Sequence, residues 1–457
     1  MQDSWTAIVL AAGLGKRMRS KKPKALHEIA GRPMLLHVLQ AARDAFESTC
    51  RDARLTVVVG HGADQVQAVL DADVQCVRQA EQLGTGHAVA QAQEAAKSAA
   101  NVLVLNADVP LVTAGTIAGL ITAHRDAEAD LTFLTACVAE PRGQGRLRRD
   151  AAGQPIAIVE EADADATTMA GNEVNVGVYC FRGGWLWPHL SRIERSAAGE
   201  YYLTDLIGMA VAEGAKVVAL AAADPIEALG INDRAQLAQA EAFVRERIRR
   251  HHLLAGVTML DPATTYIDAG VTIGADTTLH PNTSLFGKTA VGEDCVIGPD
   301  TRVVDSTLGA GCRVVSSVVE QSTLEDGVTV GPFSHLRGGA HIASGVHIGN
   351  FAEVKNSRLG RGVKMGHFSY IGDADVGENV NIGAGTITCN FDGVDKHRTV
   401  IGDGAFIGSD TMLVAPVTVG ERARTGAGSV VNHDVPSDAL AVGVPARIRR
   451  KREKSNE

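Results

Sequence analysis

From about Thr264 onward an aliphatic residue, often followed by glycine, returns every six residues, and few folds can satisfy that period. One register runs Val291, Ile297, Val303; another Ile342, Ile348, Val354; a third Leu359, Met365, Ile371; and a fourth Ile401, Ile407, Leu413, Val419. Hexapeptide periodicity specifies a parallel β-helix, in which each repeat forms one flat side and neighbouring coils stack to bury a continuous core. The 49 glycines and only 18 aromatics among 457 residues fit such a prism. Its interior takes small and branched side chains, and its corners need tight turns. The five-residue step from Ile371 to Val376 marks an imperfect coil. Between Gly385 and Val400 the period lapses over TITCNFDGVDKHRT, which reads as an excursion loop on a rigid scaffold, a common carrier of function.

The first half of the chain follows another rhythm. Short β-rich runs at 7–10, 56–59, 102–105, 131–138, 173–181 and 217–222 alternate with amphipathic stretches at 33–46, 63–72 and 87–99. That alternation specifies βαβ units and a parallel sheet. In open sheets of this kind ligands sit beyond the carboxyl ends of the strands, which draws attention to the residues after Leu10 and Leu105. Over 232–254, Leu237, Ala240, Val244 and Ile248 recur at helical spacing among charges, with arginines in the last turns, so a connecting helix is expected there. The expected organisation is a parallel-sheet α/β domain over 1–231, a linker helix over 232–254, the repeats over 255–445 and a charged, solvated tail over 446–457.

Charge and cysteine usage exclude several function classes. Lys+Arg 44 against Asp+Glu 53 leaves a net charge of −9, unsuited to a nucleic-acid backbone or an anionic membrane as main partner. Seven scattered cysteines without a C-x-x-C suggest neither a disulfide framework nor a zinc site, and point to a reducing compartment. The apolar stretch 7–12 runs directly into a glycine turn and Lys16, Arg17, as a first strand does and a secretory signal does not. No uncharged apolar run approaches the roughly 18 residues of a membrane span. A cytoplasmic protein is expected.

Two motif groups carry chemistry. After the first strand comes LAAGLGKRM at 10–18, then Lys21, Lys22, Pro23 and Lys24. Glycines let backbone N–H groups approach an anion that nearby cations neutralise. The Walker pattern is absent, and the dinucleotide fingerprint fails because Met18 stands at the third glycine position. Taken alone, the glycine pair is as readily an ordinary turn, and Asp108 an ordinary strand-end aspartate. Within the repeats, Arg337, Lys355, His367, Tyr370 and Asn381 fall within 45 residues. Three six-residue sides make a coil of 18, so Arg337, Lys355 and Asp373 are expected on one face; taken alone, His367 is as readily a surface residue.

The run LAAGLGKRM…KPKAL resembles the signature of nucleoside-diphosphate-sugar pyrophosphorylases. With QLGTGHA at 82–88, NADVPL at 106–111 and the repeats, essentially the whole chain is similar to the bacterial bifunctional enzymes of UDP-N-acetylglucosamine synthesis. The resemblance implies a Rossmann-like, mostly parallel α/β nucleotidyltransferase domain, a linker helix and a left-handed parallel β-helix of hexapeptide repeats. It implies acetyl transfer from acetyl-CoA to glucosamine 1-phosphate, then uridylyl transfer from UTP to N-acetylglucosamine 1-phosphate, in a homotrimer. Leu10, Ala11, Ala12 and Gly13 would surround the nucleotide, with Arg17 and Lys24 on its phosphates and Gln79, Gly84 and Thr85 on uracil. Asn106 and Asp108 would lie near a Mg²⁺ held by Asp108 and Asn232; Gly145, Glu160 and Asn175 would bind the sugar. In-line displacement at phosphorus needs charge neutralised more than protons moved, which suits this set.

In the repeats, G-H-F-S-Y at 366–370 resembles the acetyltransferase motif and makes His367 the general base for the substrate amine, with Glu353 an orienting carboxylate. Arg337, Lys355 and Tyr370 would grip the sugar phosphate and Asn381 the sugar. Ala384, Asn390, Phe391, Ser409 and Ala427 resemble the acetyl-CoA site. Lys16 stands where the family often has Thr, NAD at 106–108 replaces a frequent YGD, and Phe391 replaces a more usual Tyr. Near the end, AVGVPARIRR lacks an Arg where relatives often contact the coenzyme; Arg447 or Arg449 is the substitute candidate. Two other readings stand beside this one: an active pyrophosphorylase half with the repeats as an assembly module, and a regulatory binding subunit without activity.

Overall fold

The computed structural model describes residues 4–449 apart from 51, 142, 162 and 163. The chain divides into two compact units, 1–244 and 245–457. The first is built on β1 (Ser4–Ala11), β2 (Asp52–Val59), β3 (Val74–Arg78), β4 (Asn101–Asn106), β5 (Leu131–Cys137), β6 (Arg146–Arg149), β7 (Pro155–Val159), β8 (Glu173–Arg182) and β9 (Val217–Ala221). They join in the order β9-β5-β8-β4-β1-β2-β3, with β6 attached to β8 and β7 to β6. Parallel pairing links β4, β1, β2 and β3, and β9 with β5. β8 runs antiparallel to both β4 and β5.

Central strands of such a sheet are apolar on both faces. Val9, Leu103 and Leu105 pack with Leu35, Leu39 and Phe46 of α1 (Met34–Thr49) on one side. Ile8, Val102 and Val104 pack with Phe133, Phe181 and Leu206 on the other. From β1 the chain steps outward through β2 and β3, then returns to add β4 on the opposite edge of β1. The crevice at the carboxyl ends of β1 and β4 is therefore a topological switch point, where α/β sheets bind ligands.

Several expected elements differ in extent. The stretch 63–72 is helical only as α2 (Ala63–Gln67), and 87–99 is two helical pieces, α3 (Thr85–Gln91) and a single α-helical turn over Gln93–Ala96. The mostly parallel pattern is as expected; its one long antiparallel member is β8, whose partner hairpin β6–β7 carries charged, irregular sequence with little alternation. α4 (Ala114–Asp126) follows β4, and the expected connecting helix is α5 (Arg234–Leu254).

The second unit is a three-sided prism. Its sheets contain 12, 10 and 9 strands, each strand pairing in parallel with its counterpart one coil further on, apart from the antiparallel strand that ends the first sheet. One interior row runs Leu285, Val303, Val319, Leu336, Val354, Ile371. All four hexapeptide registers read from the sequence point inward and belong to the one buried core. The stack begins earlier than Thr264, at Thr258–Met259.

Three details correct the sequence reading. The five-residue step from Val354 to Leu359 shortens that coil, so Lys355 pairs with Gly372 rather than with Asp373. The excursion is narrower, because Ile387–Cys389 and Thr399–Ile401 are strands of the prism and only 390–398 departs from it. Thr388 fills the interior position between Ile371 and Leu413; it accepts the Gly372 N–H at 2.8 Å and donates to the Gly372 carbonyl at 3.0 Å. Finally, Arg447–Arg449 is a solvent-exposed strand antiparallel to Leu440–Val442 rather than unstructured tail; residues 450–457 lie outside those described. No helix among the described residues is long and apolar enough to cross a membrane.

Candidate active sites

In the first unit, a cleft of about 520 Å³ opens at the switch point. Leu10, Ala11, Ala12, Gly13, Arg17, Lys24, Gln79, Gly84, Thr85, Asn106, Asp108 and Asn232 all line it, which unites the predicted nucleotide residues. Register explains much of this: Leu10 at the end of β1 faces Asn106 at the end of β4, and Ala107 N–H bonds the Leu10 carbonyl at 3.0 Å. Asp108 follows one residue later. Ile231 N–H then bonds the Asp108 carbonyl at 2.8 Å, bringing Asn232 alongside.

Lys24 joins these segments. Its Nζ lies 2.6 Å from Asp108 Oδ2 and 2.7 Å from Asn232 Oδ1. Gly15 has φ +58°, and a Cβ there would lie 2.7 Å from Lys24 Cβ, so this glycine lets the lysine stem pack beneath the loop. Two hard oxygens thus converge on one point. That fits a Mg²⁺ ion, which takes one or two protein oxygens and keeps several waters. No group of three or more His, Cys, Asp or Glu gathers among the described residues to offer a fuller cage. Arg17 is exposed at the rim.

Gln79 is buried, and its amide nitrogen contacts the Gly84 carbonyl at 3.3 Å and His87 Nδ1 at 3.0 Å. Gly84 has φ +102°, and a Cβ there would meet the Tyr201 backbone at 2.6 Å. Thr85 Oγ1 accepts the Leu203 N–H at 3.0 Å. The wall of the cleft formed by Gln79, Gly84 and Thr85 is therefore braced by the 201–203 segment, a partner the sequence did not signal. Gln82 and Glu200 also line the cleft and were not foreseen.

The three predicted sugar residues cluster with one another. Asn175 N–H bonds the Gly145 carbonyl at 2.9 Å, and Thr204 Oγ1 donates to Glu160 Oε1 at 3.0 Å. The Asn175 amide donates to Tyr179 Oη at 2.6 Å; burial raises the pKa of that phenol, keeping it protonated.

In the second unit, Arg337 and Lys355 are neighbours in register on one side of the prism, as their spacing of 18 implied. Tyr370 sits beside Glu353 one coil on. Glu353 accepts from Arg337 at 2.7 Å. Asp373 accepts from Asn356 and from Asn390; burial pushes its carboxyl up, but those bonds and the Lys396 and Lys355 charges hold it below the usual range. Asn390 also reaches Tyr370 Oη at 3.4 Å. Lys396, at the far side of the excursion, stands against Lys355, and its proximity lowers the Lys355 pKa. This cation was missed because it lies where the period lapses.

His367 is exposed at the corner between the strands Lys364–Met365 and Ser369–Gly372. Ala384, Ser409 and Ala427 occupy the same corner on successive coils, tied by Asp410 N–H to the Ala384 carbonyl (2.7 Å) and Gly428 N–H to the Ser409 carbonyl (2.8 Å). Coils stack about 4.8 Å apart, so the row from His367 to Ala427 spans about 14 Å, suited to an elongated ligand. Asn381 pairs with Lys364 and lies on a different side from Arg337, Lys355 and Tyr370. Phe391 is exposed on the excursion, and Arg447 on the final strand.

Comparison with known proteins bears on both units. Residues 7–192 match the family model of the MobA-like NTP transferase domain, and 321–356 and 398–433 match the bacterial transferase hexapeptide model of six repeats. The chain is 49% identical to the bifunctional protein GlmU of Heliobacterium modesticaldum, over 96% of this chain and 95% of the relative. It is 45% identical to the GlmU of Brevibacillus brevis, over 97% and 96%. For the GlmU of Pelobacter propionicus the identity is 46%, over 98% of each chain.

Proposed function

The chain belongs to the bifunctional GlmU family of transferases, and from that premise we propose that each unit houses one step of UDP-N-acetylglucosamine synthesis. The prism transfers acetyl from acetyl-CoA to the amine of glucosamine 1-phosphate. The sheet unit then transfers uridylyl from UTP to N-acetylglucosamine 1-phosphate and releases pyrophosphate. The observation that carries the reading is the meeting of Lys24, Asp108 and Asn232 beside the glycine turn at the switch point.

In the first reaction, the substrate amine attacks the acetyl carbonyl carbon, the C–S bond breaks, and His367 takes the proton from nitrogen as general base. Arg337, Lys355 and Lys396 neutralise the sugar phosphate, with Tyr370 beside them. Ala384, Ser409, Ala427 and Asn390 receive the coenzyme along the corner, flanked by Phe391 and Arg447. Because Asn381 lies on another side, its contact with the sugar is supplied across neighbouring copies of the chain, in a homotrimer. In the second reaction, a sugar phosphate oxygen attacks the α-phosphorus in line while the bond to pyrophosphate breaks. Arg17 and Lys24 hold the phosphates; Gln79, Gly84 and Thr85 hold uracil; Gly145, Glu160 and Asn175 hold the sugar. A Mg²⁺ held by Asp108 and Asn232 would supply further neutralisation of phosphate charge. We assign uridylyl transfer to 1–231, the linker to 232–254 and acetyl transfer to 255–445, in a cytoplasmic protein.

Two assays on the purified chain test this: CoA thiol release with glucosamine 1-phosphate, and pyrophosphate release with UTP, Mg²⁺ and the acetylated sugar. Both should be positive. Pyrophosphate release alone would leave the prism an assembly module, and silence in both would leave a binding subunit.

A further inference from the structure

Lys24 stands where a divalent cation would. One ammonium engages Asp108 Oδ2 at 2.6 Å and Asn232 Oδ1 at 2.7 Å, and those are the two oxygens assigned above to the metal. The lysine side chain is only 14% exposed, so water does little to screen it. An ammonium and a divalent ion repel at such separations in a partly dry site, and the same oxygen lone pairs cannot serve both. With its Cβ packed against Gly15, the lysine has its freedom in the outer methylenes, and the glycine turn on which phosphates would rest is its immediate neighbour.

We propose that Lys24 is a resident counter-ion that closes the metal site while no nucleotide is bound. A polyphosphate draws the ammonium to its own oxygens and so frees Asp108 and Asn232 for the metal. Metal and nucleotide then bind with positive coupling, and by linkage each strengthens the other equally. Without nucleotide, free divalent cations bind the site only weakly. The proposal rests on the reading of Asp108 and Asn232 as metal ligands.

The test is titration of the full-length protein with Mn²⁺ alone, without nucleotide, with free Mn²⁺ read by its electron paramagnetic resonance signal. Lys24→Met and Lys24→Gln should each bind Mn²⁺ about tenfold more tightly than the parent, since one charge-assisted hydrogen bond released is worth about that factor. The glutamine keeps hydrogen-bonding capacity without charge, so it makes the same comparison if the methionine variant folds poorly by circular dichroism. Affinity equal to or weaker than the parent's in the folded lysine variants overturns the proposal. Asp108→Asn should lose Mn²⁺ binding; if it keeps the parent's affinity, the metal-ligand reading fails independently of the lysine result.

Discussion

Lys355 and Lys396 present the plainest residue-level conflict, two ammonium groups held together on an exposed face. Each disfavours the other's charge, and the Lys355 pKa is lowered from its ordinary value chiefly by Lys396. A depressed lysine imposes its full cost on folding below the folded pKa; the cost fades as pH rises from the folded pKa to the unfolded one and is gone above it. A bound dianion would relieve the conflict. Lys396→Ala should therefore raise KM for glucosamine 1-phosphate by about tenfold while kcat changes little, as loss of one charge-assisted contact predicts. Steady-state kinetics of thiol release would measure it, and an unchanged KM would remove Lys396 from the site. Arg337 and Lys355 were legible because strict coil spacing sets their register. Lys396 was not, because nine residues off the period have no register to read. Spacing likewise gives the neighbours of Glu353 but not that it turns toward Arg337.

At the level of elements, Glu227 and His124 fasten helix α4 at its two ends. Buried Glu227 accepts the Thr113 N–H at 3.0 Å and the Thr116 hydroxyl at 2.9 Å, where Thr113 caps the helix. It thereby ties the turn leading to Asn232 to the loop that follows Asp108. Glu227→Ala strands these half-buried donors and should cost about 1–2 kcal/mol, read by urea unfolding. At the other end, burial lowers the His124 pKa from 6.5 to about 4, with the Arg182 charge adding to the effect and Asp130 opposing it. The folded state thus prefers neutral imidazole; stability is full above pH 6.5 and declines as pH falls toward 4. His124→Gln should remove up to about 3 kcal/mol of that acid-dependent loss, so parent and variant unfolding curves should converge toward low pH. Helices α1 and α5 and the central strands could be read from periodicity because they run long and amphipathic or wholly apolar. The β6–β7 hairpin could not, since GRLRRD and QPIAIV owe their pairing to β8 rather than to any pattern of their own.

Across the whole molecule, the two motif sets fall in different compact units. His367→Ala should abolish acetyl transfer and spare uridylyl transfer, and Asp108→Ala should do the reverse. Loss of both activities from either change in a still folded protein would refute independent sites. All three tryptophans, Trp5, Trp185 and Trp187, belong to the first unit, so indole fluorescence should follow the unfolding of that unit alone. One coil of the prism has consequences beyond its own chemistry. From Thr388 to Leu413 the path takes 25 residues, against 17 from Ile371 to Thr388, yet both ends rejoin the stack in register. Layers clamped by the layers above and below accept a detour at a corner much as a bookshelf accepts an overhanging volume. Recognition of new substrates can therefore be written into corner insertions of any length, while the shelf that aims the histidine stays untouched.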